Sequence, residues 1–374
     1  MESGCLVGIR AEPVQIEVQL GRGLPGFEVV GLPERCVRES RVRVKAALAS
    51  LGFTLPPQSL VLNLAPGDLR KTGSSFDLPI AVALLAACGG LPEAELEGCL
   101  FVGELALSGE VRPIPGLLAH LRAARERGLR QAIVPRSVAG VAGFVPEVRV
   151  LGFDHLRDIV DWLLGHLSLN AGHRLADAPA VDAPVELSPD LADVSGQLAV
   201  KRALEVAAAG GHHLLMVGPP GTGKTMLARR LPGLLPPPTR EEAIDIATVA
   251  GASGLPVPSC PEAIRRPFRA PHHSASAAAL IGGGDPVRPG ELTLAHGGVL
   301  FLDELPEFRR DVIESLRTTM ETGEAVVARA RYRVHMPAAP QLVAAMNPCP
   351  CGHQGDPQRM CTCGPDQVSR YRAR

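Results

Sequence analysis

Aromatic side chains are scarce in this chain of 374 residues: nine Phe, two Tyr and one Trp make up 3% of it. Rows of aromatic platforms for stacking nucleic-acid bases are therefore excluded as a main binding device, and the cores have to be built from Leu, Val and Ala. Long apolar runs are lacking too. The stretch 78–91, LPIAVALLAACGGL, is too short to cross a bilayer and is interrupted by Pro and Gly, so no membrane segment is expected. The first residues, MESGCLVGIRAEP, hold no basic segment leading into an apolar one, which argues against a secretory leader. Neither sign of charge dominates. With a formal net charge of −1, any nucleic-acid partner has to be held by local basic patches and not by a global field.

What remains is an ordinary soluble composition, 46% apolar and 21% charged, long enough for two domains with cores of their own. Nine cysteines without a leader point to reduced thiols and a cytoplasmic location. Cys5, Cys36, Cys88, Cys99 and Cys260 are scattered and read as buried or neutral, whereas four others cluster between 349 and 363.

Residues 1–168 mix short strands and helices: a strand at 59–64, an apolar helix at 76–89, two strands over 99–114 joined at Ser108-Gly109, an amphipathic helix and a strand ending in QAIVP, and a closing helix at 155–167. Residues 169–190 are rich in Ala, Pro and Asp without a period, the mark of a linker. From 191 to 374 the order is helix, strand, loop, helix, then apolar strands at 299–302 and 341–346. That alternation predicts an α/β domain with a parallel sheet between helices.

The most informative stretch is GVLFLDELPEF at 298–308. Val299 to Leu302 reads as a strand buried on both faces, and the acids Asp303 and Glu304 at its end need a positive partner. HLLMVGPPGTGKTMLARRL at 213–231 supplies one. A strand, Leu214 to Val217, enters Gly218, Pro219, Pro220, Gly221, Thr222, Gly223, Lys224 and Thr225, a full match to the phosphate loop G-x-x-x-x-G-K-[ST]. A helix with Met226, Leu227 and Leu231 on one face is expected after it. Glycines let main-chain N–H groups close around phosphates. Lys224 then reaches the terminal phosphates and the Thr225 hydroxyl ligates Mg²⁺, which Asp303 holds from the adjoining strand end. Glu304 is the candidate for polarising the attacking water. Val194 and Gln197 in DVSGQ are candidates for cradling the adenine. Asn347, at the end of QLVAAMNP, is a candidate for contacting the γ-phosphate or the water. The cofactors expected are ATP and Mg²⁺.

These segments, with RPFRAPHHSASAAALIGGG and AAMNPCPCG, resemble the AAA+ ATPases, and more narrowly the magnesium-chelatase-like ATPases of the ComM/YifB type. The likeness runs from GFEVVGLPERCVRESRVRVKAAL to the last residue. It implies a Lon-protease-like α+β domain at 1–168, followed by a three-layer α/β P-loop motor at 191–374. It also implies assembly into a hexameric ring and ATP-driven work on DNA, as in branch migration during natural transformation. LAPGDLRKTGSSFDLPIAVALLAA resembles the Lon segment around the nucleophilic serine, which falls on Ser75; the segment that carries Lon's lysine reads Gly116-Leu-Leu-Ala-His120-Leu here, with no lysine. A serine without a positioned base is a poor nucleophile, and His120 on an amphipathic helix reads as a surface residue. A binding or assembly module is expected there. Members of this family continue beyond QVSRYRAR into a segment with a trans-acting arginine and a helical lid. The chain is thus expected to be truncated before the lid, to bind ATP weakly and to turn it over poorly.

Sequence-independent contact with branched or single-stranded DNA has several candidate carriers. SASAAALIGGG (274–284) is a small-residue insertion that would face a ring's pore or form an ordinary surface loop. EAVVARARYRVHMP (324–337) predicts a hairpin with Arg329, Arg331 and Arg333 on one face, suited to a phosphate backbone or to guarding a sheet edge. Arg35, Arg38, Arg41 and Lys45 form a helical stripe that suits DNA or solvent, and Arg265, Arg266 and Arg269 lie near His272 and His273. The remaining cysteines, Cys349, Cys351, Cys361 and Cys363, are spaced C-x-C, nine residues, C-x-C. Four thiolates match a closed tetrahedral zinc site, with His353 as an alternate ligand and free thiols as the alternative. Two other functions stay open on sequence grounds: a chelatase subunit driving metal insertion into a tetrapyrrole, and a nucleotide-binding interaction module without turnover.

Overall fold

Residues 59–65, SLVLNLA, alternate buried and half-buried side chains along the strand Ser59–Ala65, as period-two geometry dictates when one face meets a core. The computed structural model, which describes residues 1–22, 24–168, 189–328, 333–356 and 359–373, builds a seven-stranded sheet around this strand. The order across that sheet is Gly26–Val30, Ser59–Ala65, Arg10–Gly21, Glu2–Val7, Cys99–Phe101, Gln131–Pro135, Arg149–Phe153. The helices Arg35–Ser50 and Asp77–Ala87 share its core. Of the stretch 99–114, only Cys99–Phe101 joins the sheet, and Glu104–Leu105 pairs with Val111–Arg112 as a separate small hairpin.

The chain divides into two compact units: Met1–Ala183 with Ala250–Ala263, and Pro184–Val249 with Ile264–Arg374. Most of the linker expected at 169–190, and Arg329 and Arg331, lie outside the described residues. Among the described residues no helix is long and apolar enough to cross a membrane.

Within the first unit, Asp77 is fully buried. Its carboxylate accepts from Arg43 Nε at 2.6 Å and Nη2 at 3.0 Å, and from the Leu105 N–H at 3.2 Å. The Asp77 hydrogen bond is the main cause raising the Arg43 pKa. Removing one member of a buried, hydrogen-bonded pair strands the other. Asp77→Ala is therefore expected to lower the stability of this unit by about 3–5 kcal/mol, read as a shift in its denaturant midpoint. A change below roughly 1 kcal/mol would mean that the pair is dispensable.

His120 departs from its expected surface position. It is 1% exposed, and its ring nitrogens lie 3.0 Å from the Gly116 carbonyl and 3.2 Å from the Gly4 carbonyl. Burial holds its pKa below the usual value against the pull of those carbonyls. The helix Leu117–Glu126 begins directly after Gly116, so its first turn faces inward and takes His120 with it. Ser75, also buried, donates to the same Gly4 carbonyl at 3.4 Å.

In the second unit four strands form a parallel sheet in the order Leu214–Val217, Gln341–Met346, Val299–Leu302, Phe268–Arg269. Val299–Leu302 is buried throughout. Leu214–Val217 instead lies at the sheet edge, with Leu215 52% and Val217 54% exposed. The strands carrying the glycine loop and the acid pair are therefore not adjoining. Gln341–Met346 runs between them, pairing Val217 with Met346 on one side and Leu302 with Ala344 on the other. The buried Gln341 side chain fixes this middle strand by donating to the Ala207 and His212 carbonyls at 3.0 and 2.6 Å.

The helix after the glycine loop is short, Lys224–Ala228, with Leu227 buried and Leu231 buried in the next turn. Met226 is 42% exposed and leaves the face assigned to it. The insertion 274–284 is not a plain loop: Ser276 caps the helix Ala277–Ile281 by accepting from the Ala279 N–H, and Gly282–Gly283 then pairs with Arg288–Pro289. Two of the suggested basic contacts turn out to be structural. Arg266 donates to the Pro236 and Gly297 carbonyls and to Glu242, and Arg269 grips Glu291 with two bonds of 2.7 and 2.8 Å. On the stripe of the first unit, Arg35 pairs with Glu39, Arg41 donates to the Phe27 carbonyl, and the Lys45 ammonium sits over the Phe27 ring. The hairpin at 324–337 is present as Glu324–Ala328 against Arg333–Pro337.

Candidate nucleotide-binding site

The loop 218–225 leaves its strand at the carboxyl end of the sheet. Gly221 and Gly223 have φ of +79° and +82°, a region that side chains resist, and this is what lets the loop curl into a cradle. Thr222 Oγ1 donates to the Pro219 carbonyl at 2.9 Å and stiffens it. Lys224 folds its side chain back across the mouth: Nζ lies 2.7 Å from the Gly218 carbonyl, 3.0 Å from that of Pro219 and 3.3 Å from Asn347 Oδ1. Burial lowers the Lys224 pKa, and the carboxylates of Asp303 and Glu304 oppose that shift. The Thr225 hydroxyl donates to Asp303 Oδ2 at 2.8 Å.

Together these groups enclose a cavity of about 410 Å³ lined by residues 220–226, Asp303, Glu304, Met346 and Asn347. Residues more than a hundred positions apart thus converge on one hollow. Four candidates are absent from its lining: Gly218 and Pro219, whose carbonyls instead face the Lys224 ammonium, and Val194 and Gln197. Val194 is 4% exposed and packs in the core with Leu191, Leu204 and Met216, while Gln197 is exposed at the start of the helix Leu198–Gly210 with φ +54°.

Glu304 carries the same unusual backbone, φ +54°, in a region where a non-glycine residue costs energy and recurs at functional sites. Its N–H donates to Asp303 Oδ1 at 3.0 Å, and its carboxylate lies 3.1 Å from His273 Nδ1. His273 itself packs against His272, ring centroids 4.1 Å apart and the rings tilted by 35°, and is set edge-on to Phe308. Sequence reasoning placed His273 only beside a group of arginines and gave it no role in the nucleotide site. Its contact with Glu304 spans separate parts of the chain, and no local spacing announces it.

Thr225 Oγ1 and Asp303 Oδ2 are hard oxygen donors side by side at the cavity wall, a set that fits Mg²⁺. The cysteine turn offers a different donor set. The four sulfur atoms of Cys349, Cys351, Cys361 and Cys363 all lie within 4.8 Å of one another. Cys349 Sγ is 3.4 Å from that of Cys351 and 3.6 Å from that of Cys361, and the Cys351–Cys361 pair is also at 3.6 Å. Zinc–sulfur bonds of about 2.3 Å in a tetrahedron demand sulfur separations of about 3.8 Å, so the cluster is close to the size zinc requires. Main-chain N–H groups of His353 and Thr362 lower the Cys351 thiol to about 5. At Cys361 and Cys363 a main-chain N–H pulls the same way, but burial and the hydrogen bonds to Cys351 and Cys349 outweigh it, pushing Cys361 up to about 12 and raising Cys363 as well. A bound cation would be needed to ionise all four. His353 does not join the cluster; its Nδ1 lies 3.1 Å from Asp356. The five scattered cysteines are free thiols, with Cys5 and Cys99 buried.

A glycine loop, lysine and threonine facing an acid pair across the carboxyl end of a parallel sheet define a P-loop nucleotide-binding domain of the AAA+ class. The family described as "Magnesium chelatase, subunit ChlI" matches residues 190–374, and "Subunit ChlI of Mg-chelatase" matches 16–138. The chain is 46% identical to the uncharacterized protein YifB of Salmonella typhimurium over 367 residues, covering 98% of this chain and 70% of that protein. It is 45% identical to the competence protein ComM of Haemophilus influenzae over 365 residues, 98% of this chain and 71% of that protein. The chain belongs to the ComM/YifB type of magnesium-chelatase-like AAA+ proteins. A shorter stretch of 152 residues is 28% identical to the DNA repair protein RadA of Escherichia coli, 39% of this chain and 31% of that protein.

Proposed function

We propose that this chain is the ATP-hydrolysing part of a hexameric motor that moves branched or single-stranded DNA, as in the branch migration of natural transformation. The observation that carries the nucleotide half of this reading is the Thr225–Asp303 hydrogen bond of 2.8 Å beside the Lys224 ammonium. It supports one magnesium–triphosphate site. Lys224 binds the β- and γ-phosphates, and Thr225 and Asp303 hold Mg²⁺, which would neutralise charge on the transferred phosphoryl group. Glu304 orients and polarises water, and Asn347 contacts the γ-phosphate or that water. The four thiolates hold a structural zinc ion.

The DNA half draws on the names of the relatives, a competence protein and a DNA repair protein, and on the hairpin whose second strand begins at Arg333. The first unit serves binding or assembly and not proteolysis. Ser75 and His120 both turn to the Gly4 carbonyl, and a serine spent in this way has no base to activate it.

A four-way DNA junction titrated against the chain with Mg²⁺ and a slowly hydrolysed ATP analogue tests this reading. Binding is expected to be indifferent to sequence and to weaken by about two orders of magnitude between roughly 50 and 200 mM salt, because phosphate contacts release counterions. Binding that is insensitive to salt, or no binding at all, would remove DNA as the partner.

A further inference from the structure

We infer that the four-cysteine turn is a metal-dependent clamp on the phosphate loop, so that filling the thiolate cluster tightens nucleotide binding. The inference rests on the zinc reading above and extends it to the regulation of the nucleotide site.

The connection starts in the chain itself. The middle strand Gln341–Met346 ends at Asn347, whose Oδ1 is 3.3 Å from Lys224 Nζ, and the buried Cys349 follows two residues later. The turn then doubles back onto the loop. Gly352 has φ +84°, and a Cβ added there would come within 2.8 Å of the Pro220 ring. Pro220 is part of the loop that lines the cavity. The cysteine turn is thus packed at Gly352 directly against the Pro220 ring of the nucleotide cradle, and the Gly352 N–H closes the turn onto the Cys349 carbonyl at 2.9 Å.

The other half of the cluster leads away to the helix Pro365–Arg372, which follows Cys363. That helix also returns to the site. Arg372 donates to the Pro348 carbonyl at 3.2 Å and to Gln354 Oε1 at 3.0 Å. Tyr371 is buried and takes a main-chain hydrogen bond from Asn347. Cys349 and Cys351 therefore belong to the side that touches Pro220 and Lys224, and Cys361 and Cys363 to the side that anchors the helix. A metal ion bonded to all four fixes the two sides together. Without an ion no metal–sulfur bonds tie the sulfur atoms of one side to those of the other, so the halves are free to part and Gly352 is no longer held against Pro220.

The test compares zinc-loaded chain with chain stripped by a chelator under reducing conditions, titrated with a fluorescent ATP analogue and Mg²⁺. Stripping is expected to weaken nucleotide affinity about tenfold, and bound magnesium–nucleotide to tighten zinc by the same factor, since coupling is reciprocal. The second arm is read by competition with a colorimetric zinc chelator and needs no turnover. Gly352→Ala keeps every thiol. It is expected to retain about one zinc per chain while losing roughly fivefold in nucleotide affinity, because the added methyl pushes Pro220 away. If purified chain holds no zinc and takes none up, the zinc reading falls and the clamp with it. If zinc is present but stripped chain and Gly352→Ala both bind nucleotide within about twofold of the parent, the clamp is overturned and the zinc reading stands. Should stripping melt the unit, the zinc-competition arm decides: zinc affinity unchanged within about twofold by magnesium–nucleotide overturns the clamp.

Discussion

Lys224→Ala is expected to weaken ATP binding by about two to four orders of magnitude. The ammonium is the one cation held inside the cradle by described contacts, poised on the Gly218 and Pro219 carbonyls and on Asn347. Partial burial already disfavours its charge, so it gains more from a phosphate than a lysine in bulk water would. Hydrogen bonds to charged groups are worth about 1.5–3 kcal/mol each. Losing two of them amounts to about 3–6 kcal/mol, and each 1.4 kcal/mol is about a factor of ten in affinity. Calorimetric titration with ATP and Mg²⁺ gives the number directly. Lys224→Arg is an instructive companion: a planar guanidinium does not fit where three acceptors surround a point charge, and it should recover less than half of the lost free energy. ATP affinity within about threefold of the parent in Lys224→Ala would show that the nucleotide binds elsewhere.

Glu304→Gln is expected to keep ATP and lose hydrolysis by about two to four orders of magnitude, the usual contribution of a positioned general base. The substitution preserves shape and removes only the negative charge. The left-handed backbone at Glu304 and the carboxylate contact with His273 survive in outline, since an amide can still accept from an imidazole N–H. Single-turnover hydrolysis at protein concentrations that favour assembly, run beside an ATP-binding titration, separates the two effects. His273→Ala sharpens the result. If Glu304 is the base, losing His273 alters its orientation but leaves hydrolysis within about tenfold. If His273→Ala stops the reaction and Glu304→Gln does not, the imidazole is the base and the roles are reversed.

The parts of this molecule that are legible in the sequence are those written in local chemistry. The bounds of the strands Val299–Leu302 and Gln341–Met346 follow from short apolar runs closed by polar residues. The loop 218–225 follows from glycines whose φ values no other residue tolerates well. The gathering of four sulfur atoms follows from the pairing of two C-x-C spacings. What sequence reasoning missed is tertiary. Strand order is set by crossovers, so the insertion of Gln341–Met346 between the loop strand and the acidic strand has no local signature. His120 is inward because a helix begins at Gly116, and an amphipathic count does not fix that phase. Arg266 and Arg269 look like a basic surface until Glu242 and Glu291 arrive from other segments to neutralise them. The helix Ala277–Ile281 was hidden because its Ser276 cap sits among small residues that read as loop.

The unequal positions of two strands carry one more consequence. Gln341–Met346 has hydrogen-bonded neighbours along both flanks, whereas Leu214–Val217 has one along a single flank among the described residues. Amide protons on the doubly flanked strand should exchange with solvent only when the whole unit opens, and those on the singly flanked strand through local fraying. Gentle warming will therefore release the glycine cradle while Asn347, at the end of the doubly flanked strand, stays in place. The protein loses its grip on nucleotide some degrees before it melts, and a saturating ligand closes that gap.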